Sequence, residues 1–413
     1  MTIQRSDKGG LISNFLSLSV LQGVNLFLPL LTLPYLVRVL GVENFGLMGF
    51  SLSIIMLFNI FVSFGFGLSA TREISINRGD IKKISQIFSS VMVVKAFFVV
   101  VSLFFLTLLV FIFETIQSHF LLYYITFILV LGEALFPTWF FQGMERMEYI
   151  TYISVVSKVI STVLIFVIIQ NPADYIYFPL LNSLSAVFNG VFAIWFILSR
   201  FGVKFSVPPV KTLKSQVGKS YHFFLSRAAN DGARYYAVTA IGLSFGNSVV
   251  GYYSIVEKLF FAFMSLFGLV AQTIYPYMSR TKDLLFLRKI LLLVVIASVV
   301  ILVPVMVFNE FVVYLIFDIK NSLISDIFIA IFIGGFFGVV SSILGYPGLA
   351  AFGYVKQSNN SLIFASLIYS VLITVSAFYI ESIQLSALSL SAYAVLGLLF
   401  RLYYIKKVGL QIW

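Results

Sequence analysis

The sequence of 413 residues contains no cysteine, only two histidines and few charged side chains. The absence of cysteine excludes disulfides, thiol catalysis and thiolate metal sites, and two histidines without a helical pairing argue against a metal site. Charged residues make up 10% of the chain, against roughly 25% in soluble domains. No polar stretch is long enough for a soluble domain. The architecture is therefore expected to lie inside a membrane.

Long apolar runs take the place of the missing polar segments. Hydrophobic residues form 60% of the chain, and the mean hydropathy is +1.04. A bilayer core about 30 Å thick needs about 20 apolar residues per helix. The first run is too long for a cleavable signal peptide, so it is interpreted as an uncleaved helix. The sequence thus predicts an all-α membrane protein with twelve helices, at 11–37, 45–69, 88–112, 120–142, 150–169, 176–199, 220–244, 252–277, 285–308, 326–350, 361–380 and 384–404.

The basic residues predict the orientation of these helices. The net charge is +11, but Lys and Arg lie in short loops and form no separate nucleic-acid-binding domain. With both termini placed in the cytoplasm, twenty Lys and Arg fall on the cytoplasmic side, Arg401 among them, and only Arg38 and Lys320 fall on the other side. The positive-inside rule therefore predicts a multi-pass bacterial inner-membrane protein with cytoplasmic termini.

A polar connection divides the chain near its middle. It runs from Arg200 to Lys219 and contains Pro208 and Pro209. We interpret it as a linker between a six-helix lobe at 1–207 and another at 208–413. Such parallel repeats would be related by a pseudo-two-fold axis along the membrane normal, with a central cavity between them. An offset of 205 residues aligns Asn25 with Asn230, Gly41 with Gly246 and Gly46 with Gly251.

Eight ionisable residues lie within the predicted helices. Each costs roughly 2.5 to 3.5 kcal/mol at a helix centre, so they are expected to face each other or water. The basic residues predict a cationic substrate-binding cavity, and the acidic ones tune its charge or couple transport to an ion. The basic set is Lys95, Lys158, Arg227, Arg234 and Lys258, and the acidic set is Glu133, Asp231 and Glu257.

Depth and spacing separate these eight residues. A basic side chain near a helix end can snorkel its charge to the interface. Glu133, Asp231 and Arg234 lie near the middle of their predicted helices and cannot reach it. Arg227, Asp231 and Arg234 share one helical stripe, so Asp231 can bridge both arginines. That stripe is either a salt-bridge network that holds the lobe together or the wall of a cationic cavity. Unless Lys95 or Lys158 pairs with it, Glu133 is a candidate proton or cation site.

A net-positive cavity attracts anions, and the 46 phenylalanines and 22 tyrosines supply surfaces suited to lipid chains and sugars. A lipid with a phosphate head group and attached sugars would need both features. Its outward transport would run with the membrane potential, by about 2.3 kcal/mol per charge per 100 mV. No catalytic residue or resident cofactor is indicated.

Four segments resemble the Wzx-type flippases of lipid-linked oligosaccharide repeat units, within the superfamily of multidrug, oligosaccharidyl-lipid and polysaccharide exporters. The segments are 29–35, 40–46, 70–75 and 137–145. The resemblance implies translocation of an undecaprenyl-pyrophosphate-linked O-antigen or capsule unit to the periplasmic leaflet. It also implies H⁺ or Na⁺ as the coupling ion, with a periplasmic polymerase and a chain-length regulator as partners.

Two other functions compete with this interpretation. A drug or cation exporter of the same superfamily would favour an acidic cavity, whereas here the basic residues outnumber the acidic ones. A membrane polysaccharide polymerase would need a sizeable non-cytoplasmic loop with catalytic residues. The longest such connection, at 309–325, is short. The sequence therefore favours a transporter over an enzyme.

Overall fold

A computed structural model describes residues 7–411, with side chains from residue 19 onward. The terminal residues, for which the sequence predicts a cytoplasmic location, lie outside this range. Within it the fold is all-helical, with no strand. The helices are α1 Asp7–Ser63, α2 Phe66–Ile76, α3 Ile81–Ile112, α4 Glu114–Gln117, α5 Phe120–Leu135, α6 Thr138–Gly143, α7 Met147–Ile168, α8 Tyr177–Arg200, α9 Val210–Arg227, α10 Ala233–Phe245, α11 Asn247–Thr281, α12 Leu284–Val307, α13 Asn309–Phe317, α14 Ser322–Phe332, α15 Gly335–Ile343, α16 Val355–Thr374 and α17 Ile383–Lys407.

Ten helical stretches of the described chain are long and apolar enough to cross a membrane. One of them, Ser19–Ile76, is 58 residues long and covers two predicted spans. Gly41 interrupts it with a φ of 77° and a ψ of 163°, a backbone conformation that only glycine adopts readily. The predicted span 220–244 is not among the ten, because the basic helix α9 supplies its first part. An all-helical membrane protein is thus confirmed, while the count of twelve stays a prediction.

The chain forms two compact units. The first contains the described residues up to Leu40 together with Ser51–Ala228, and the second contains Gly41–Phe50 and the chain from Ala229 onward. This division differs from the predicted 1–207 and 208–413 by α9 and by the ten residues after Leu40.

In the first unit, α9 is held against α2. The Ser69 and Ser220 hydroxyls lie 2.6 Å apart, and Lys219 Nζ lies 2.9 Å from Glu73 Oε1. The predicted linker is also tied down, because the backbone amides of Lys204 and Ser206 donate to Ser85 Oγ and Ser89 Oγ at 3.1 and 3.0 Å. Four residues separate these two serines, so both face the same side of α3. The polar connection therefore lies along α3 and is hydrogen-bonded to it.

Two of the segments that carry the family resemblance contact each other in the first unit. Thr71 Oγ1 on α2 donates to the Trp139 carbonyl at 3.2 Å, and Arg78 Nε donates to the Gly143 carbonyl at 2.7 Å. Arg78 also pairs with Glu145 at 2.5 Å. This hydrogen bond holds the pKa of the Glu145 carboxyl below its usual range. The segments 70–75 and 137–145 are thus one packed motif.

Gly143 allows this close approach, and its replacement by alanine is expected to destabilise the first unit. A Cβ at this position would lie 2.8 Å from Ile74 Cβ and 2.9 Å from the Thr71 carbonyl oxygen. Overpacking of this kind costs about 1–3 kcal/mol. Gly67→Ala is the matched control, since a Cβ there meets nothing within 4 Å. Thermal unfolding of the purified protein should show a lower Tm for Gly143→Ala only, and equal Tm values for the two variants would contradict the assignment.

A glycine-lined helix crossing lies within the second unit. Segment Gly41–Phe50 packs so closely on α11 that a Cβ on Gly46 would overlap the Asn247 carbonyl, and a Cβ on Gly251 would overlap the Val42 carbonyl. The two contacts exchange under the offset of 205 residues, which aligns Val42 with Asn247. Gly246 also shares the Gly41 conformation, with a φ of 82° and a ψ of 177°. The local correspondence is clear, while symmetry of whole lobes stays a prediction.

Candidate functional site

Lys95 and Glu133 come together in the first unit through a helix break. Pro137 has no N–H, so the carbonyl of Glu133, four residues earlier, has no helical donor. Lys95 Nζ donates to this carbonyl at 3.1 Å, and Lys95 is only 5% exposed. The Glu133 side chain itself is exposed. Lys95 therefore completes the end of α5 and is not open to a ligand in this conformation.

Lys158 and Arg227 also lie in the first unit, and both are partly exposed. The Lys158 ammonium donates to the Asn25 side-chain oxygen. Arg227 is the last residue of α9. The structure thus places three of the predicted cations, Lys95, Lys158 and Arg227, in this unit, and only Lys95 is fully buried.

A π-helical turn at Ala228–Gly232 precedes α10 at the start of the second unit. It contains Asp231, and Arg234 follows in the first turn of α10. A π turn adds a residue to the helical repeat, so the predicted α-helical stripe through Arg227, Asp231 and Arg234 is not regular. π turns of this kind occur frequently at functional sites.

The backbone conformation of Gly246 determines which residue pairs with Arg234. Its positive φ separates α10 from α11, and the two helices pack against each other. Arg234 lies twelve residues before Gly246 and Glu257 lies eleven residues after it. Both residues are therefore about 17 Å from Gly246 along their helices. The fold-back brings the two side chains together. Arg234 therefore pairs with Glu257, and not with Asp231 as the sequence predicts.

Two nitrogens of the Arg234 guanidinium contact the two carboxylate oxygens of Glu257. Arg234 Nε lies 2.8 Å from Glu257 Oε1, and its terminal nitrogen lies 3.4 Å from Oε2. The guanidinium carbon stacks 3.8 Å from the centre of the Phe261 ring. The side chain of Glu257 is 5% exposed, whereas that of Arg234 is 35% exposed. The cation is thus accessible and oriented, and its carboxylate partner is buried.

Other groups surround this pair on α11. Tyr253 lies one turn before Glu257, and its hydroxyl is 3.2 Å from that of Tyr369, with both residues buried. Lys258 is partly exposed, and its ammonium lies 5.7 Å from the centre of the Phe45 ring. Arg234, Glu257 and Lys258 thus form a cluster of two cations and one carboxylate within the second unit.

Arg401 is a buried cation that the sequence analysis assigned to the cytoplasmic surface. It is 4% exposed. Its guanidinium donates to the Ser341 carbonyl and, at 2.8 and 3.3 Å, to the Ser341 and Ser361 hydroxyls. The signal that could have identified it is position, since Arg401 lies inside the predicted span 384–404 on a face of small residues.

Most of the chain matches a known protein family. Residues 11–282 match the sequence model of a family described as polysaccharide biosynthesis protein. The chain belongs to this family. The match covers both the motif formed by 70–75 and 137–145 and the Arg234–Glu257 pair, and it ends at residue 282.

Two named relatives agree with membership of the polysaccharide biosynthesis family. A protein of Escherichia coli (strain K12) named "Putative O-antigen transporter" is 28% identical over 288 residues, which cover 70% of this chain and 69% of the relative. A protein of the same name from Shigella dysenteriae is 26% identical over 281 residues, covering 67% and 69%. These relatives support the transporter interpretation of the sequence.

The fold is shared with two solved transporters. The lipid II flippase MurJ in an inward closed conformation matches with a TM-score of 0.74 and 15% identity, covering 96% of this chain and 87% of its own. An inward-facing multidrug resistance MATE family transporter of the MOP superfamily matches with a TM-score of 0.61 and 14% identity, covering 96% and 98%. Both comparisons place this member of the polysaccharide biosynthesis family in the MurJ and MATE fold.

Proposed function

We propose that this protein is a flippase that translocates undecaprenyl-pyrophosphate-linked oligosaccharide repeat units, of O-antigen or capsule, from the cytoplasmic to the periplasmic leaflet of the inner membrane. The observation that carries the proposal is the partly exposed, oriented Arg234 side chain in a chain of the polysaccharide biosynthesis family. The names of the E. coli and Shigella relatives support the same substrate class.

The Arg234 fork suits a phosphate group. Arginine binds carboxylate and phosphate with the same pair of parallel N–H donors. Without substrate, Glu257 accepts these donors and keeps the guanidinium against Phe261. A pyrophosphate that enters from the accessible side of Arg234 accepts the hydrogen bonds of these N–H groups in place of Glu257. Lys258, the next residue on α11, adds a second positive charge.

Replacement of Glu257 by phosphate as the partner of Arg234 also creates a binding site for a coupling ion. When phosphate takes the guanidinium, the Glu257 carboxylate is left buried and without its cation, which is costly in a low-dielectric interior. Uptake of H⁺ or Na⁺ by Glu257 removes this cost. Substrate binding and ion binding are then linked at one pair of residues. Exposed Glu133 remains a second candidate for ion coupling.

Alternating access requires that the substrate site open to one side at a time. The glycine crossing between Gly41–Phe50 and α11 is the contact that we propose separates during the cycle. At this contact the backbones of the two elements meet directly, at Gly46 and at Gly251. The repeat-unit polymerase and chain-length regulator would act on the product at the periplasmic side.

Gene deletion tests the proposed function in cells. Without the protein, lipid-linked repeat units should accumulate in the cytoplasmic leaflet and surface polysaccharide should be lost. A plasmid copy of the wild-type gene should restore both. Normal surface polysaccharide in the deletion strain, when no second flippase is present, would rule the proposal out.

A further inference from the structure

A groove lies in the second unit where α13 turns into α14. Its volume is about 500 Å³, within the usual range of ligand sites. The floor is formed by the buried residues Val313, Ile324 and Ser325. The groove lies beyond residue 282, where the family match ends, and it takes no part in the proposed phosphate site.

Opposite charges flank this groove. Glu310 and Lys320 both line it, and both are exposed. The Lys320 ammonium lies 4.7 Å from the centre of the Tyr314 ring. Among residues 19–411, no hydrogen bond or ion pair engages the Glu310 carboxylate. The groove thus holds a free anion and a positioned cation that do not neutralise each other.

The groove is held in shape by its own hydrogen bonds. Asn321 Oδ1 accepts from the Leu323 amide at 2.8 Å, and Asn321 Nδ2 donates to the Tyr252 hydroxyl on α11 at 2.9 Å. The Asp318 amide donates to the Tyr314 carbonyl at 2.8 Å and closes α13. A ligand therefore finds Lys320 on a fixed loop and Glu310 in the first turn of α13.

One face of the adjoining segment is suited to acyl chains. Phe308, Phe311 and Leu315 are 60%, 61% and 60% exposed. Phe311 and Leu315, four residues apart, share one face of α13, and Phe308 is the residue just before this helix. A short helix with an exposed apolar stripe and charged residues beside it is typical of the membrane interface. The groove accordingly opens where lipid head groups lie.

We propose that this groove binds the head group of a zwitterionic phospholipid that carries a primary ammonium, as in phosphatidylethanolamine. The ammonium donates to the Glu310 carboxylate, the phosphate accepts from Lys320, and the acyl chains follow the Phe308–Leu315 stripe. In an anionic lipid such as phosphatidylglycerol the phosphate meets Lys320, but the head group offers no ammonium to Glu310. A choline head group has no N–H to donate. The proposal is independent of the flippase function.

Native mass spectrometry of the purified full-length protein tests the site. The delipidated protein is mixed with equal amounts of phosphatidylethanolamine, phosphatidylglycerol and phosphatidylcholine that share the same acyl chains. The wild type should retain phosphatidylethanolamine preferentially. Glu310→Gln should lower the ratio of bound phosphatidylethanolamine to phosphatidylglycerol roughly two- to fivefold, the size expected for the loss of one exposed ion pair.

Asp318→Asn is the matched control. It removes a negative charge from the loop that carries Lys320, at a left-handed residue with a φ of 59° where asparagine is well tolerated. This variant should keep the wild-type lipid ratio, whereas Lys320→Gln should weaken binding of all three lipids, since each carries a phosphate. A wild type without preference, or an equal loss in Glu310→Gln and Asp318→Asn, would overturn the proposal.

Discussion

Arg234→Ala is expected to lower the transport rate of lipid-linked oligosaccharide by about 10- to 100-fold, the effect of losing a charged hydrogen-bond donor of about 1.5–3 kcal/mol. The reason is that Arg234 is a partly exposed cation whose guanidinium is already oriented by Glu257 and Phe261. Transport of a fluorescent lipid-linked oligosaccharide into proteoliposomes measures the rate.

The single substitution also leaves Glu257 buried and unpaired, which by itself destabilises a protein by about 3–5 kcal/mol. A double variant, Arg234→Met with Glu257→Met, separates the two effects because it replaces the pair by apolar side chains of similar length. Replacement of both partners is often neutral for stability. The double variant should unfold at a temperature near that of the wild type and still fail to transport. Stable protein with wild-type transport would show that the pair is only structural.

A disulfide between positions 49 and 254 is expected to stop transport reversibly. The chain has no native cysteine, so an engineered pair forms without competition. A Cβ on Gly49 would lie 3.8 Å from Ser254 Cβ, close to the mean Cβ–Cβ distance in disulfides. Gly49→Cys with Ser254→Cys would lock segment Gly41–Phe50 to α11. Oxidation should abolish transport and a reductant should restore it.

The control pair for this experiment lies elsewhere in the second unit. A Cβ on Gly338 would be 3.6 Å from Ala394 Cβ, so Gly338→Cys with Ala394→Cys can form a disulfide between α15 and α17. Its oxidation should leave transport intact. Wild-type transport by the oxidised 49–254 variant would contradict alternating access through the glycine crossing.

Local signals were sufficient to predict much of the fold. Hydropathy predicts the membrane helices, and the offset of 205 residues identifies Gly41 and Gly246, which have the same unusual conformation. The interruption of predicted helix seven was missed. Its first part, α9, is too polar to count as a membrane span, and the π turn at Ala228–Gly232 has no local sequence signature.

The partners of the charged residues could not be predicted, because they depend on contacts between helices. Spacing along one helix favoured Asp231 as the partner of Arg234, but the fold-back at Gly246 supplies Glu257. Lys95 was considered as a partner of the Glu133 carboxylate, but it donates to the Glu133 backbone carbonyl, which Pro137 leaves free. Arg401 is buried because serines on α15 and α16 satisfy its guanidinium.

Leaflet-resolved transport in reconstituted vesicles tests the central claim most directly. Purified protein is placed in vesicles whose outer leaflet carries a defined undecaprenyl-pyrophosphate-linked oligosaccharide, and a membrane-impermeant glycosidase then reports the fraction that stays outside. Wild-type protein should protect a growing fraction from the enzyme, while the double variant at Arg234 and Glu257 should not. Equal protection in vesicles with and without the wild-type protein would contradict the flippase assignment.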